Sequence, residues 1–261
     1  MPTHGIQASA PGVILRKRDE LAAWPSGLGK GLQSPAQRFD SARRLDCDDS
    51  SMSSTYTNDR PARAAIFDFL SGILERRGLL EWRRIVVGDL SGDVIEIGCG
   101  TGLNFPHYPA GVRVLGSDLD PVMLDRAAGR AREAKADVSI VIADAMRLPM
   151  ADATADTVVL GGVLCCVTDP AATLAEVRRV LRPDGMMRFL EHVRADAGTM
   201  QARFQDAVNP LWKRVSGGCN ANRETVAAIR AAGFELSYLF PFDLGLPHTR
   251  PHVVGEARAR A

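Results

Sequence analysis

The pattern of hydrophobic and polar positions divides the chain into two parts. Residues 1 to about 58 follow neither a helical nor a strand period and mix Gly, Pro, Ser, Arg and Asp. This composition is typical of a segment that buries too little apolar surface to fold, so we expect a disordered tail over residues 1–58. A more ordinary sequence opens at Met52, and one hypothesis is that translation starts there; peptides from residues 1–51 in the native protein would contradict it.

From Asp59 to about Trp82 the pattern predicts an amphipathic helix, which opens a single folded domain over residues 59–261. Asp59 can cap the helix, Pro61 falls in its first turn, and apolar side chains recur at three- and four-residue steps. These apolar positions are Ile66, Phe67, Leu70, Ile73 and Leu74. Packing against the edge of the domain is favoured over a role as a lid above a ligand.

Strand and helix patterns alternate through the centre of the chain. The predicted elements are strands at 94–97, 113–118, 138–143, 156–160 and 186–192 and helices at 121–135 and 170–181, the second helix ending before the turn at 182–185. This alternation predicts an α/β fold, a Rossmann-like, doubly wound and mostly parallel sheet of seven strands. Its ligand is expected at the carboxyl ends of the strands.

The first strand runs into a loop with three closely spaced glycines, Gly98, Gly100 and Gly102. Such a loop can turn tightly, either as a plain strand-to-helix turn or to let a ligand approach the backbone. A dinucleotide-binding loop needs G-x-G-x-x-G, but Leu103 stands where the last glycine would fall. Because Glu96 would also repel a pyrophosphate, a dinucleotide-dependent oxidoreductase is disfavoured and a cofactor with a cationic end is favoured.

The combination E-x-G-x-G-x-G after a strand resembles the first motif of the class I S-adenosylmethionine (SAM) methyltransferases. The resemblance implies SAM as the cofactor. It places Gly98, Gly100 and Gly102 under the methionine part of SAM and Glu96 toward its amino end.

Acidic residues follow the next two predicted strands. Asp118 ends the second strand, where a carboxylate can accept hydrogen bonds from both ribose hydroxyls, so it is the predicted ribose ligand. Asp120 is better placed to cap the helix that begins at Pro121. After the third strand, the resemblance assigns Asp144 to the exocyclic amine of adenine, with the Ala145 amide beside it.

Short segments in the last third of the chain narrow the resemblance. They are Leu164-Cys165-Cys166-Val167, Glu191-His192-Val193, Pro210-Leu211-Trp212, Gly218-Cys219-Asn220 and Arg250-Pro251-His252, together with Asn104-Phe105 and Tyr108-Pro109 after the glycine loop. Over roughly residues 94–255 the chain looks like the methyltransferase-like seven family of thiol S-methyltransferases, which implies a small thiol or sulfide as methyl acceptor. Animal members begin with a hydrophobic membrane-anchoring segment, whereas this N-terminus is polar, so their location is not implied.

Two histidines are candidates for a general base on the acceptor side. A free thiol, with a pKa of about 8.5, is mostly protonated at neutral pH, so a nearby base would help methyl transfer. His192, at the end of the fifth predicted strand, is the candidate catalytic residue, with a structural hydrogen bond as an equal alternative. For His252 the structural alternative is favoured, and Cys165 and Cys219 are predicted to be small buried side chains.

Composition favours a small-molecule enzyme. The formal charge of the 261 residues is +1, which gives no electrostatic case for nucleic acid. The five cysteines form no C-x-x-C pair, so the spacing suggests neither a disulfide framework nor a metal site. With no apolar run near 18 residues and no signal peptide, we expect no transmembrane anchor and a cytoplasmic location.

Two alternatives to a thiol methyltransferase stay open. A C-, O- or N-methyltransferase acting on a quinone or lipid would carry the same SAM site. A SAM-binding protein without catalysis would keep Glu96, Asp118 and Asp144 but show no turnover.

Overall fold

The structure is a computed structural model that describes residues 61–260. The predicted disordered tail, the alternative start at Met52 and the helix cap at Asp59 lie outside the described residues.

The first helical region is longer than predicted and has a kink. It consists of α1 (Pro61–Leu74), a π-helical turn (Glu75–Leu79) and α2 (Leu80–Val87). The kink lies at Gly78, whose φ of 117° is in the left-handed region that suits glycine. The region therefore continues past the predicted end at Trp82.

The apolar stripe of α1 packs into the domain only at its carboxyl-terminal end. Ile66, Phe67 and Leu70 are 58%, 40% and 52% exposed. The buried positions are instead Ala64 and Ser71, which share a helix face with the half-buried Asp68. The first turns of the helix therefore rest on their neighbours through small and polar side chains, whereas at its carboxyl-terminal end the half-buried Leu74 packs against the core as the apolar periodicity indicated.

The sheet has the predicted doubly wound, mostly parallel architecture. Its strands are β1 (Asp93–Ile97), β2 (Arg113–Asp118), β3 (Asp137–Ile142), β4 (Ala155–Gly161), β5 (Leu181–His192), β6 (Phe234–Asp243) and β7 (Pro251–Ala259). They lie in the order β3-β2-β1-β4-β5-β7-β6. The first five are parallel, and β7 runs antiparallel to both β5 and β6.

The start of β5 differs from the prediction. Residues 182–185 were expected to form a turn before the strand, but the strand begins at Leu181 with an irregular register. Leu181 lies opposite Ala155 and Met186 lies opposite Thr157, so the intervening residues bulge from the ladder. Arg182 in this bulge pairs with Asp93, with a nitrogen–oxygen distance of 2.8 Å, and with Asp156.

The other helices are α3 (Pro121–Glu133), α4 (Pro170–Val180), α5 (Met200–Val215) and α6 (Thr225–Ala231). Asp120 caps α3 as predicted, accepting a 2.9 Å hydrogen bond from the Val122 amide. Asp169 caps α4 in the same way.

Every residue of β1 is buried, which is typical of a central parallel strand covered on both faces. Alternate residues enter two apolar clusters: Ile95 packs in the cluster that contains Leu174 of α4, and Val94 packs in the one that contains Leu124 of α3. Because β1, β2, β4 and β5 are parallel, their carboxyl ends lie together at one edge of the sheet. No helix in the part of the chain that the structure describes is long and apolar enough to cross a membrane.

Candidate cofactor and acceptor site

The glycine loop after β1 has a backbone that only glycine adopts easily. Gly98, Gly100 and Gly102 have φ values of 64°, 55° and 79°. A Cβ on Gly102 would lie 2.6 Å from Cδ2 of Phe105 and 3.2 Å from Cα of Ala127, so the loop is packed tightly against α3 on that side. At Gly100 the nearest atom to such a Cβ would be 3.7 Å away, on the ring of Phe67.

Glu96 lies buried beneath this loop. One carboxylate oxygen accepts a 2.9 Å hydrogen bond from Nδ2 of Asn104 and the other a 2.8 Å hydrogen bond from the hydroxyl of Tyr108. Burial raises the pKa of Glu96 to about 7, against the opposing effect of these two hydrogen bonds. Sequence reasoning gave Asn104 and Tyr108 no role, although both belong to segments that carried the family resemblance.

Asp118 ties the ends of β1 and β2 together. It accepts hydrogen bonds from the backbone amides of Gly100, at 2.8 Å, and Asp120, at 2.9 Å. Burial raises its pKa, partly offset by these bonds. The carboxylate predicted to bind a ribose is thus at the carboxyl edge of the sheet and in contact with the glycine loop.

Asp144 and Ala145 follow β3 at the same edge. The Ala143 amide donates a 3.1 Å hydrogen bond to the backbone oxygen of Asp118, which brings the two strand ends together. Asp144 is half-buried and accepts a 2.8 Å hydrogen bond from the Met146 amide. The fold therefore brings all of the predicted cofactor residues to the ends of three adjacent strands.

Asp68 of α1 holds the glycine loop from the opposite side, a role that sequence reasoning missed. It accepts a 2.6 Å hydrogen bond from the Thr101 hydroxyl and pairs with Arg126 at 2.8 Å and Arg130 at 3.2 Å. Burial would raise the pKa of Asp68, but these partners hold it below its usual value. Its position on the polar face of a predicted amphipathic helix gave no indication that it would contact the glycine loop.

Glu191 holds the turn after β4, another role that sequence reasoning missed. Its fully buried carboxylate accepts hydrogen bonds from the amides of Val163, Leu164 and Cys165, at 2.7, 3.0 and 3.4 Å. Burial raises the pKa of Glu191 in spite of these donors. The turn that follows β4 is therefore fixed to the end of β5.

His192 is buried at the end of β5, with its Nε2 atom 2.8 Å from Sγ of Cys219. Its Nδ1 atom is also buried and has no hydrogen-bond partner among the described residues. Burial lowers the pKa of His192, but the hydrogen bond and the charges of Cys219 and Glu191 outweigh it, so the pKa is raised. A tautomer with its hydrogen on Nε2 donates to the sulfur and leaves a lone pair on Nδ1.

Cys219 belongs to a cluster of three thiols. Its sulfur is 3.8 Å from that of Cys165, which is 3.5 Å from that of Cys166, and all three lie within 4.8 Å of one another. The thiols of Cys165 and Cys166 hold the pKa of Cys219 well below its usual range despite its burial, and His192 adds to the effect. Cys165 and Cys219 are buried as predicted.

His252 of β7 lies directly opposite His192 on the neighbouring strand β5. The two ring centroids are 6.0 Å apart, and Nδ1 of His252 is 3.1 Å from the backbone oxygen of Arg250. Burial lowers the pKa of His252 to about 4. This contact agrees with the structural interpretation that the sequence favoured for His252.

Known proteins resemble the chain in both sequence and fold. A family described as a methyltransferase domain matches residues 95–189. Thiol S-methyltransferase TMT1B of Rattus norvegicus is 36% identical over 170 residues, covering 63% of this chain and 69% of the rat protein. Thiol S-methyltransferase TMT1A of Homo sapiens is 36% identical over 169 residues, with the same coverage.

A solved structure also shares the fold. A SAM-dependent methyltransferase from Thermotoga maritima superposes with a TM-score of 0.53 at 20% identity, covering 76% of this chain and 100% of that chain.

Proposed function

Because the chain belongs to the class I SAM-dependent methyltransferases, in the family of the thiol S-methyltransferases TMT1A and TMT1B, we propose that its methyl acceptor is a small thiol or sulfide. Apart from the family relationship, the proposal is supported by the buried His192, whose Nδ1 atom has no hydrogen-bond partner among the described residues. A buried polar atom without a hydrogen-bond partner lowers stability, and the S–H group of an acceptor would be such a partner for Nδ1.

The described residues fit SAM. The backbone of the glycine loop is open at Gly100, where the ring of Phe67, at 3.7 Å, is the only described side chain within 4 Å of an added Cβ. Two acids, the buried Glu96 and the half-buried Asp118, suit a cofactor that carries positive charge and a ribose. When bound, SAM would supply an electrophilic methyl group on its sulfonium sulfur, with S-adenosylhomocysteine as the leaving group once the methyl–sulfur bond breaks.

The proposal gives each cofactor residue a role. Glu96 faces the ammonium end, Asp118 accepts hydrogen bonds from the ribose hydroxyls, and Gly98, Gly100 and Gly102 let the methionine part approach the backbone. Asp144 and the Ala145 amide face the adenine amine. Asp68 and Asn104 support these residues, because they fix Thr101 and Glu96 respectively.

On the acceptor side, His192 takes the proton of the acceptor thiol. Its Nε2–H group donates to Cys219, which leaves Nδ1 free to accept. A thiolate is already a strong nucleophile, so the rest of the site needs only to align the sulfur and exclude water. The burial of His192, Cys165 and Cys219 suits that purpose.

The test is production of S-adenosylhomocysteine by the purified protein with sulfide, small alkyl thiols, a catechol, a quinol and a phospholipid amine. Turnover confined to sulfide and thiols, with the label of methyl-deuterated SAM found on sulfur, is the expected result. Turnover only on the other acceptors would replace the thiol with a carbon, oxygen or nitrogen acceptor. SAM binding without any turnover would favour a non-catalytic SAM-binding protein.

A further inference from the structure

Three thiols from two distant segments converge beside β5. Cys165 and Cys166 lie in the turn after β4, and Cys219 follows α5. A tetrahedral Zn²⁺ ion with zinc–sulfur bonds of about 2.3 Å would place its sulfur ligands about 3.8 Å apart. Two of the observed separations, 3.5 and 3.8 Å, are close to that value, and the third pair lies within 4.8 Å.

Backbone contacts fix the positions of these sulfurs. The amide and the side-chain nitrogen of Asn220 donate to the backbone oxygen of Cys165, at 2.8 and 3.1 Å, and so join the two segments. The carboxylate of Glu191 accepts hydrogen bonds from the amides of the turn after β4, including that of Cys165. The cluster is therefore preorganised by bonds that do not involve the thiols themselves.

The surroundings of Cys219 favour a thiolate, which is the form that binds metals. Its sulfur lies within reach of two ring nitrogens, Nε2 of His192 at 2.8 Å and Nε1–H of Trp212 at 3.4 Å. Such outer contacts commonly orient metal ligands. The guanidinium of Arg223 donates to the backbone oxygens of Leu164 and Val167, the residues on either side of Cys165 and Cys166.

An ion could enter this cluster. Cys165 and Cys219 are buried, whereas Cys166 is exposed and connects the group to solvent. Thiolate sulfur selects soft or borderline cations, of which Zn²⁺ is the common redox-inert choice.

We propose that Cys165, Cys166 and Cys219 bind one Zn²⁺ ion through their sulfurs, with the fourth tetrahedral position open. Among the residues that the structure describes, three cysteine sulfurs form this cluster. Three protein ligands with an open fourth position are typical of catalytic zinc, whereas structural zinc has four protein ligands. A thiol or sulfide can take such a position. The ion site itself does not depend on which acceptor the enzyme methylates.

The first experiment is a Zn²⁺ titration of the reduced full-length protein, followed by dialysis and elemental analysis. Wild type is expected to retain one Zn²⁺ per chain. Cys165→Ser, Cys166→Ser and Cys219→Ser should each weaken binding by more than about 100-fold, because even loss of an outer contact typically costs 10–100-fold. Cys99→Ser, which removes another buried thiol, is the matched control and should retain the ion.

A second measurement uses no variant in the cluster. Alkylation of Cys166 by iodoacetamide, followed by mass spectrometry, should slow by at least about 10-fold when Zn²⁺ is added, because a metal-bound thiolate is less available to the reagent. Co²⁺ added instead should give a thiolate-to-cobalt charge-transfer band and the visible spectrum of a tetrahedral ion.

Either of two results would overturn the proposal. One is substoichiometric zinc in the wild-type protein with unchanged alkylation of Cys166, and the other is equal zinc in wild type and all three serine variants. Since zinc content and alkylation need neither SAM nor an acceptor, failure of the thiol assignment would leave both readouts intact.

Discussion

The carboxylate of Asp68 accepts a 2.6 Å hydrogen bond from the hydroxyl of Thr101, which joins α1 to the glycine loop. The same carboxylate pairs with Arg126 and Arg130 of α3. One side chain therefore links the first helix, the loop that follows β1 and the helix that follows β2. The geometry of the loop depends on this contact as well as on its glycines.

Asp68→Ala is expected to weaken SAM binding by about 1 kcal/mol, roughly fivefold, because the loop loses a hydrogen bond that fixes Thr101. Calorimetric titration with SAM measures the change. Asp125→Ala removes an exposed acid from α3 and serves as the charge-matched control, with affinity unchanged. Equal affinity of the Asp68 variant and wild type would show that the loop holds its shape without α1.

Asp118→Ala is expected to weaken SAM binding by about 1 to 3 kcal/mol, the cost of losing charge-assisted hydrogen bonds to a ribose. Circular dichroism should first show that the variant folds, since Asp118 also accepts the Gly100 amide. Unchanged affinity in a folded variant would place the ribose elsewhere.

SAM affinity is expected to rise as the pH increases from about 6 to 7.5. The pKa of Glu96 is raised to about 7, so below that pH the group is largely neutral and must lose its proton to face an ammonium. Binding should therefore release a proton, seen as a calorimetric heat that varies with the ionisation enthalpy of the buffer. In Glu96→Gln the proton release should disappear; a pH dependence that survives this change would assign it to another group.

Gly102→Ala is expected to lower the free energy of unfolding by about 1 to 3 kcal/mol. The new Cβ would overlap Phe105 at 2.6 Å, at a φ of 79° that alanine rarely adopts. Gly129→Ala is a control of opposite sign, since Gly129 lies inside α3 with no atom closer than 4.0 Å to the added carbon, and alanine there should stabilise by about 0.5 to 1 kcal/mol. Urea denaturation measures the free energy of unfolding of both variants. A change of the same sign in the two would contradict the prediction.

His192→Ala is expected to lower kcat while SAM affinity stays unchanged. The loss should be greatest for alkyl thiols with a pKa above 9 and small for acidic thiols, which are already ionised at neutral pH and need no base. Within the series, the acidic thiols serve as the control for the thiols of high pKa. A loss that is uniform across the series would give His192 a structural role through its contact with Cys219.

The parts of the site that sequence could predict are those built from neighbouring residues. The β-branched run of β1, the glycines that follow it and Asp118 at the end of β2 all carry local signals, and Asp120 caps α3 as its position before Pro121 indicated. The family resemblance added Asp144 and Ala145, and His192 was chosen as a possible base at the end of a predicted strand. Their roles at the site remain predictions, whereas their places at one edge of the sheet follow from the topology.

What sequence could not predict depends on distant contacts. Cys165 and Cys219 are 54 residues apart, and their spacing matches no metal-binding motif, so their convergence appears only in the folded chain. Asp68 and Glu191 were missed because a polar residue on a helix and an acid in a strand have many ordinary roles. The burial of Ala64 and Ser71 instead of the first apolar positions of α1 was likewise decided by packing against neighbours.

The strand order has a consequence for how the molecule assembles. β6 is synthesised before β7, yet among the strands that the structure describes its only neighbour is β7, which in turn pairs with β5. The two can form a hairpin locally, but that hairpin must dock as a unit on the edge of β5. His192 lies opposite His252 in that docking seam. The pairings of β1 with β2 and of β2 with β3 join residues 20 and 24 apart in sequence and can thus form from local contacts, while the ladder along β5, up to His192, becomes complete only when the hairpin docks.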